Sequence, residues 1–271
     1  MISAVVVTWR GDGLVAACVD SLLKQRVPPG EILVVHSNEP RELGLPVPVL
    51  QLGKNLGFAR AANAGVLAVK GHPLLLNDDT VLDPDCIGAL EAARNKNPEA
   101  VLQPRLLLPD GRVDNQGHGF FPDGFVWARG RGGPDQAIPG QPSGFSGAAV
   151  LFPRALWLAL GGFDPRFDSF GEDVDLSLRL LRRGVAVRAV PDARVLHHLG
   201  ASYGRSSPDK IFRIERNRVR AAVRSLPASA LALLPALTLG RYALLGGLAA
   251  LGRGPGATVD REGQKAALRG I

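Results

Sequence analysis

Three short stretches of this chain carry residue types able to do chemistry. In Leu74-Leu75-Leu76-Asn77-Asp78-Asp79-Thr80, an apolar strand-like triplet runs straight into two adjacent carboxylates. Carboxylate oxygens suit hard cations such as Mg²⁺ or Mn²⁺, and a cation held at a strand end can neutralise a diphosphate. The same residues also make a plain turn, since Asn and Asp favour turns and cap helices. Glu172-Asp173-Val174-Asp175-Leu176 sets three acids in the first turn of a predicted helix, where the helix dipole favours them as a structural cap. Phe163, Phe167 and Phe170 lie on the approach, and apolar shielding raises a carboxylate pKa toward that of a general base. Asp173 and Asp175 stand about 200° apart around a helix, so they cannot share a role. His197-His198 closes a short predicted strand, where neighbours point to opposite faces, so at most one of them serves a site. A neutral imidazole there either completes the coordination of a metal held by Asp79 or is a packed residue.

The elements that must position these groups read as an alternation. Ile2 to Thr8 is a β-branched run, followed by a Gly-Asp-Gly turn and a predicted helix from Leu14 to Gln25. Glu31 to Val35, Val47 to Leu52 and the run at Leu74 are further strands, with a small-residue helix over Ala59 to Val69. Strand–helix alternation predicts a parallel sheet with ligands beyond the carboxyl ends of its strands. Leu102 to Gln141 reads as loop or irregular sheet. Order returns with a strand over Gly144 to Phe152, helices over Arg154 to Leu160 and Glu172 to Arg183, and short strands at Ala186 to Val190 and Ala193 to Leu196. In Asn55 to Gly65, Gly57 precedes a helix start whose free N–H groups and Arg60 suit a phosphate, although close helix–sheet packing explains its Ala and Gly residues equally well.

Size and charge narrow the classes. The 271 residues, 46% apolar and 21% charged, suffice for one large domain plus a small appendage. A net charge of +7 suits an anionic partner: a nucleotide diphosphate, an anionic membrane surface or nucleic acid. Basic residues are not interleaved with aromatics, so nucleic acid is ranked low. Cys18 and Cys86 form no metal or disulfide pattern, and the amino terminus lacks a signal-peptide pattern, which together favour a reducing, cytoplasmic compartment. Beyond Asp209 the chain is basic and amphipathic over Lys210 to Arg224, then apolar over Ala228 to Leu251 with Pro235 and Arg241 inside. Those two residues argue against a spanning helix. Two readings remain: an interfacial pair of helices turning Arg213, Arg216, Arg218, Arg220 and Arg224 to anionic lipid, or a helical hairpin packed on the protein. The expected division is therefore 1–208 and 209–271.

Over roughly residues 2 to 220 the order of motifs resembles glycosyltransferase family 2, the inverting nucleotide-sugar transferases of GT-A fold, and its rhamnosyltransferase-like members especially. The series is Val5-Val6-Val7-Thr8-Trp9, Asn55-Leu56-Gly57-Phe58-Ala59, Leu76-Asn77-Asp78-Asp79-Thr80, Ser146-Gly147-Ala148-Ala149, Gly161-Gly162-Phe163-Asp164, Gly171-Glu172-Asp173-Val174-Asp175-Leu176, Pro191-Asp192-Ala193, His197-His198-Leu199-Gly200-Ala201-Ser202 and Arg216-Asn217-Arg218. The resemblance implies an α/β, Rossmann-like, mostly parallel central sheet flanked by helices, with a C-terminal helical segment. It implies Asp79 and His197 as ligands of Mn²⁺ or Mg²⁺, with Asn77 standing where a first carboxylate is usual and Asp78 touching the donor's ribose or sugar. Asp173 matches the catalytic base, with Gly147, Phe170 and Glu172 on the acceptor side. The donor side takes Thr8, Trp9, Arg10, His36, Asn55, Gly57, Arg60, Asn63, Asn77 and Asp78.

Two positions depart from the family. Val34-Val35-His36-Ser37-Asn38 replaces the usual Val-Val-Asp-Asn-x-Ser, so His36 offers a different hydrogen-bonding set to the base. Thr8-Trp9-Arg10 replaces Thr-Tyr-Asn; Trp9 still stacks on a base and Arg10 adds phosphate attraction. The expected partners are a nucleotide diphosphate sugar, a glycan or lipid-linked acceptor and a peripheral membrane contact at the inner face of the cell membrane. The oligomeric state is left open. A non-catalytic nucleotide-sugar-binding protein and a nucleotidyltransferase are the alternatives. For the latter, Gly11-Asp12-Gly13 makes a poor phosphate loop.

Overall fold

The computed structural model describes residues 1–198 and 208–250, and the chain divides into two compact units. The first unit comprises Met1–Gly119 and Ala128–Leu199. Its amino-terminal half alternates β1 (Ile2–Thr8), α1 (Gly13–Leu23), β2 (Glu31–His36), β3 (Val49–Gln51), α2 (Phe58–Ala68) and β4 (His72–Asn77). All of β1 is buried, as its β-branched run requires, and Asp12 caps α1 by accepting from Leu14 N at 3.1 Å. β5 (Thr80–Leu82), α3 (Cys86–Lys96), β6 (Val101–Leu107) and β7 (Val113–Asn115) follow, and the short strands β8 (His118–Phe120) and β9 (Val126–Ala128) each include residues of both units. The unit ends with β10 (Ala149–Leu151), α4 (Arg154–Leu160), α5 (Glu172–Arg182) and β11 (Val187–His197).

The strands form a nine-stranded sheet in the order β3-β2-β1-β4-β10-β6-β11-β5, with β7 added to β6. Neighbours from β3 to β4 are parallel, which is the predicted nucleotide-binding half. Past β4 the sheet is mixed, because β10 enters antiparallel between β4 and β6. Both faces are covered. One core cluster joins Val6, Leu74 and Leu76 to α1 and α3, and the other joins Val5, Leu75 and Val150 to α2, Phe152 and Trp157. Cys18 and Cys86 are free and buried, as small apolar residues would be.

Three sequence expectations change here. The segment after Leu102 is not irregular at its start: β6 lies inside the sheet between β10 and β11, and Pro104 within it hides the strand signal. The expected strand from Gly144 to Phe152 shortens to three residues, since Gly144 to Ala148 instead form a loop. The two short strands near residue 190 are one strand with a register shift between Val190 and Arg194.

The second unit contains the Phe120–Trp127 hairpin tip and the helices α6 (Pro208–Ser225) and α7 (Ala228–Ala250). Arg218 does not face lipid. It is 3% exposed, with Nε donating to Glu215 Oε2 at 2.8 Å and Nη1 to the Asp123 carbonyl at 2.7 Å. Arg241 joins the same acids at 2.8 and 3.1 Å and lies over the Phe125 ring, which accounts for a cation in the middle of an apolar helix. Among the described residues no helix is long and apolar enough to cross a membrane. The Leu199 to Ser202 part of the histidine motif and the chain after Ala250 lie outside the described residues.

Candidate active site

The carboxyl ends of β1 and β4 bring the first acidic pair together with Thr8. Val7 is in register with Asn77, so Thr8 reaches the next residue and its hydroxyl donates to Asp78 Oδ2 at 2.6 Å. Gly11 N donates to the same hydroxyl at 2.9 Å, which closes the loop after β1. Burial lifts the Asp78 pKa to about 6; the Thr8 hydrogen bond opposes that, and the charges of Asp79 and Asp12 add to it. Asn77 is held through its main chain, its N–H donating to Ala148 O at 2.9 Å and its carbonyl accepting from Thr80 Oγ1 at 2.7 Å.

β11 pairs antiparallel with β5, and His197 lies opposite Thr80. That register sets the imidazole beside Asp79, with Nε2 3.3 Å from Asp79 Oδ1. On its other side Nδ1 donates to Asp114 Oδ2 at 2.8 Å. Burial alone would lower the His197 pKa, but the hydrogen bond to Asp114 and the negative charges of Asp79 and Asp114 override it and raise it to about 9. The contact with Asp79 is an ion-pair distance without hydrogen-bond alignment, so Asp79 Oδ1 is buried with no hydrogen-bond partner among the described residues. His198 donates through its backbone N–H to Asp79 O at 2.9 Å.

The second acidic pair opens α5. Asp173 Oδ2 accepts from Gly147 N at 3.0 Å, and Oδ1 accepts from Val174 N at 2.8 Å. Asp175, on the far side of the helix, is fully buried and pairs with Arg179 at 2.9 Å. The carboxyl lifted by burial is that of Glu172, pushed up to about 8 with the charge of Asp173 adding to the effect. Glu172 Oε2 has no hydrogen-bond partner among the described residues. Phe163 is engaged elsewhere: it packs on Trp157 with ring centroids 5.0 Å apart, within the core.

The loop entering α5 is bent at Asp168 (φ 57°) and Phe170 (φ 70°), a left-handed conformation uncommon for such residues. The start of α2 holds it there. Ala59 N donates to Asp168 O at 3.0 Å, Phe58 N to Ser169 Oγ at 3.4 Å, and Arg60 pairs with Asp168 at 3.3 Å. These N–H groups were expected to await a phosphate; they are already used in positioning the α5 loop. Gly57 (φ 78°) is needed because a Cβ there would meet the Asp168 carbonyl oxygen at 2.8 Å. Asn55 accepts from Gly57 N at 3.0 Å. The Asn63 amide spends both ends on the Phe163 backbone, at 2.8 and 3.0 Å, which is a packing role rather than the expected donor contact.

Around the end of β2, His36 is fully buried and its Nδ1 is 2.7 Å from Gln51 Oε1. Trp9 is held through its carbonyl by Asn38 Nδ2 at 2.9 Å, and the Arg10 guanidinium lies 5.1 Å from the Trp9 ring centre. Sequence reasoning missed Asp114 and His118. Both are buried, and His118 Nδ1 has no partner among the described residues. Burial lowers the His118 pKa against the charges of Asp173 and Asp114. Both lie in a stretch without apolar period; their one visible signal is the polar segment Asp114-Asn115-Gln116-Gly117-His118, broken by Gly117 and followed by Gly119.

The sheet order and the two acidic pairs beyond its strands define the class: an α/β protein of GT-A fold. The fold is shared with GalNAc-T7 crystallised with UDP, GalNAc and Mn²⁺ (TM-score 0.65, 17% identity, 82% of this chain and 47% of that one). It is also shared with Staphylococcus aureus TarS 1-349 in complex with UDP-GlcNAc (TM-score 0.64, 15% identity, 100% and 79%). The model of glycosyl transferase family group 2 matches residues 74–218. The galactofuranosyltransferase GlfT1 of Mycolicibacterium smegmatis is 30% identical over 226 residues, 74% of this chain and 72% of that protein. This chain belongs to glycosyltransferase family 2. Two further relatives are only partly spanned. The O-antigen biosynthesis protein RfbC of Myxococcus xanthus is 30% identical over 70% of this chain but 16% of its own length. The N-acetylglucosaminyl-diphospho-decaprenol L-rhamnosyltransferase of Mycobacterium tuberculosis is 32% identical over 59% of this chain and 61% of its own.

Proposed function

We propose that this chain is an inverting, metal-dependent glycosyltransferase. It moves a sugar, rhamnose in the leading form, from a nucleotide diphosphate donor to a hydroxyl of a lipid-linked or polysaccharide acceptor at the cytoplasmic face of the membrane. The observation that carries the reading is the Asp79–His197 pair: a buried carboxylate oxygen without a hydrogen-bond partner among the described residues, 3.3 Å from an imidazole nitrogen. Among the described residues no three acids, histidines or cysteines gather into a closed metal cage. A two-ligand site still fits Mn²⁺ or Mg²⁺, which take one or two carboxylates and fill their shells with phosphate oxygens and water. A cation held by Asp79 and His197 would supply positive charge against the donor diphosphate.

The chain's own groups do the rest. Asp173, oriented by Gly147 N–H, takes the proton of the acceptor hydroxyl. The freed oxygen forms a bond to the anomeric carbon as the bond to the diphosphate breaks, and the nucleotide diphosphate leaves with the electron pair. A single displacement inverts the anomeric configuration. On this reading Asp78, tied to Thr8, serves the ribose or sugar, and Trp9 and His36 belong to the base side. Support for rhamnose and a lipid-linked acceptor comes from the name of the Mycobacterium tuberculosis relative. Support for the metal comes from the Mn²⁺ of GalNAc-T7. For the membrane contact it comes from Leu233 and Leu244, 58% and 63% exposed on α7.

The test is release of nucleoside diphosphate from uridine, thymidine and guanosine diphosphate sugars with Mn²⁺ and lipid-linked or polysaccharide acceptors. Wild type is expected to turn over one donor, and Asp173→Asn to bind it without turnover. Binding without turnover by both proteins would favour the nucleotide-sugar-binding alternative, which Asn77 and His36 also suit. Leu233→Glu with Leu244→Glu should abolish sedimentation with anionic vesicles; unchanged sedimentation removes the membrane contact.

A further inference from the structure

We infer that Asp114 is a positioning residue for the metal: it turns the His197 ring so that Nε2, and no other ring atom, meets the cation beside Asp79. The inference rests on the metal reading above. It begins with a backbone irregularity. β7 pairs with β6 through Leu107↔Val113 and Leu106↔Asn115, so two steps along β7 match one along β6, and Asp114 is the extra residue. A bulge of this kind re-aims a side chain that the regular pleat would send elsewhere. β6 is flanked on its other side by β11, where Leu107 is in register with Leu196, one residue before His197. The bulge and the strand end therefore meet, and Asp114 Oδ2 lies 2.8 Å from His197 Nδ1.

The chemistry of that contact sets the tautomer. A carboxylate only accepts, so Nδ1 carries the hydrogen and the lone pair of a neutral ring is on Nε2. Asp114 is itself fixed, because Arg131 Nη1 donates to its other oxygen and its side chain is 3% exposed. Arg131, Asp114, His197 and Asp79 thus form one line of contacts. The 3.3 Å between Nε2 and Asp79 Oδ1 is close to the roughly 3 Å that separates neighbouring ligands on an octahedral cation. Metal-bound histidines commonly pass their second nitrogen to a carboxylate, and loss of that partner costs about 10–100-fold in metal affinity. A plain ion pair between Asp114 and the exposed Arg131 would give the acid a counter-charge but would not explain the seating of His197.

Mn²⁺ alone, then Mn²⁺ with inorganic pyrophosphate, is titrated into the full chain by calorimetry and by electron paramagnetic resonance. Asp114→Ala should weaken Mn²⁺ binding about 10–100-fold, with Asp114→Asn intermediate because its amide oxygen can still accept. The melting temperature in EDTA should hold for Asp114→Asn. Combining Asp114→Ala with His197→Ala should weaken binding no further than His197→Ala alone, since the acid acts through the ring. The ¹⁴N coupling of imidazole to Mn²⁺ should be present in wild type and lost in His197→Ala. Binding by Asp114→Ala within twofold of wild type overturns the inference, as do additive losses in the double variant. Should Asp114→Ala not fold, Asp114→Asn decides: a loss of less than threefold overturns it. If Asp79→Ala and His197→Ala both bind like wild type, the metal reading itself falls, a pattern distinct from an isolated failure at Asp114.

Discussion

Asp78-Asp79 and Glu172-Asp173 are each two adjacent acids at the opening of a site, yet their surroundings treat them differently. In each pair burial raises the pKa of the first acid, Asp78 to about 6 and Glu172 to about 8. Asp78 has a hydroxyl donor in Thr8 that favours its charged form. Glu172 has no side-chain donor opposing its burial, so at neutral pH it holds a proton. The second acids differ too: Asp79 faces a side chain, His197, whereas among the described residues Asp173 accepts from main-chain N–H groups. A pair held by side chains is open to replacement one residue at a time; a pair held by main chain depends on the loop that delivers it.

The largest effect that would break this comparison is at Asp173. Asp173→Asn should lower turnover roughly 10²–10⁴-fold with Mn²⁺ affinity unchanged, measured as nucleoside diphosphate release; a loss under tenfold would put the base elsewhere. Asp79→Asn is expected to lower turnover about 10²-fold, and raising Mn²⁺ should recover part of it. A defect that excess metal leaves untouched would speak against Asp79 as a ligand.

Glu172→Gln sharpens the contrast through stability. The folded pKa of about 8 lies above the ordinary 4.5, so the folded state binds the proton more tightly. Wild-type stability is then undiminished below about 4.5, falls as pH rises toward 8, and levels off above it. Glutamine does not ionise, so the variant should melt with wild type near pH 4.5 and several degrees above it near pH 8. A gap independent of pH would contradict the assignment. Thr8→Val is the smallest change. Losing one hydrogen bond to a buried acid should cost about 1–2 kcal/mol in urea unfolding above pH 6, and less below pH 4 where Asp78 is protonated. Equal losses at both pH values would detach Thr8 from the charge of Asp78.

Much of this was legible from residues alone. β1, β2 and β4 announce themselves by apolar β-branched or leucine runs, and α5 by its acids and apolar period. The acidic pairs and His197 come from local motifs. What could not be read depends on pairing between distant segments. β6 is interrupted by a proline, β10 is three residues long, and Asp114 is a bulge residue whose direction exists only against β6 and β11. The first turn of α2 looked like a free anion site because no local signal tells that Asp168 and Ser169, more than a hundred residues on, would occupy it. Arg218 looked like a surface cation for the same reason, its partner Asp123 lying 95 residues away.

The main-chain turn at Gly147 and Ala148, just ahead of β10, has a consequence for how such a site can vary. Asn77 N donates to Ala148 O, and the neighbouring Gly147 N donates to Asp173, so the interval between the first acidic pair and the second is measured out in peptide bonds. Such a ruler carries no side chain to mutate. On the proposed mechanism, substitutions in the residues around it can alter sugar or acceptor preference while this main-chain spacing between the two acidic pairs is kept.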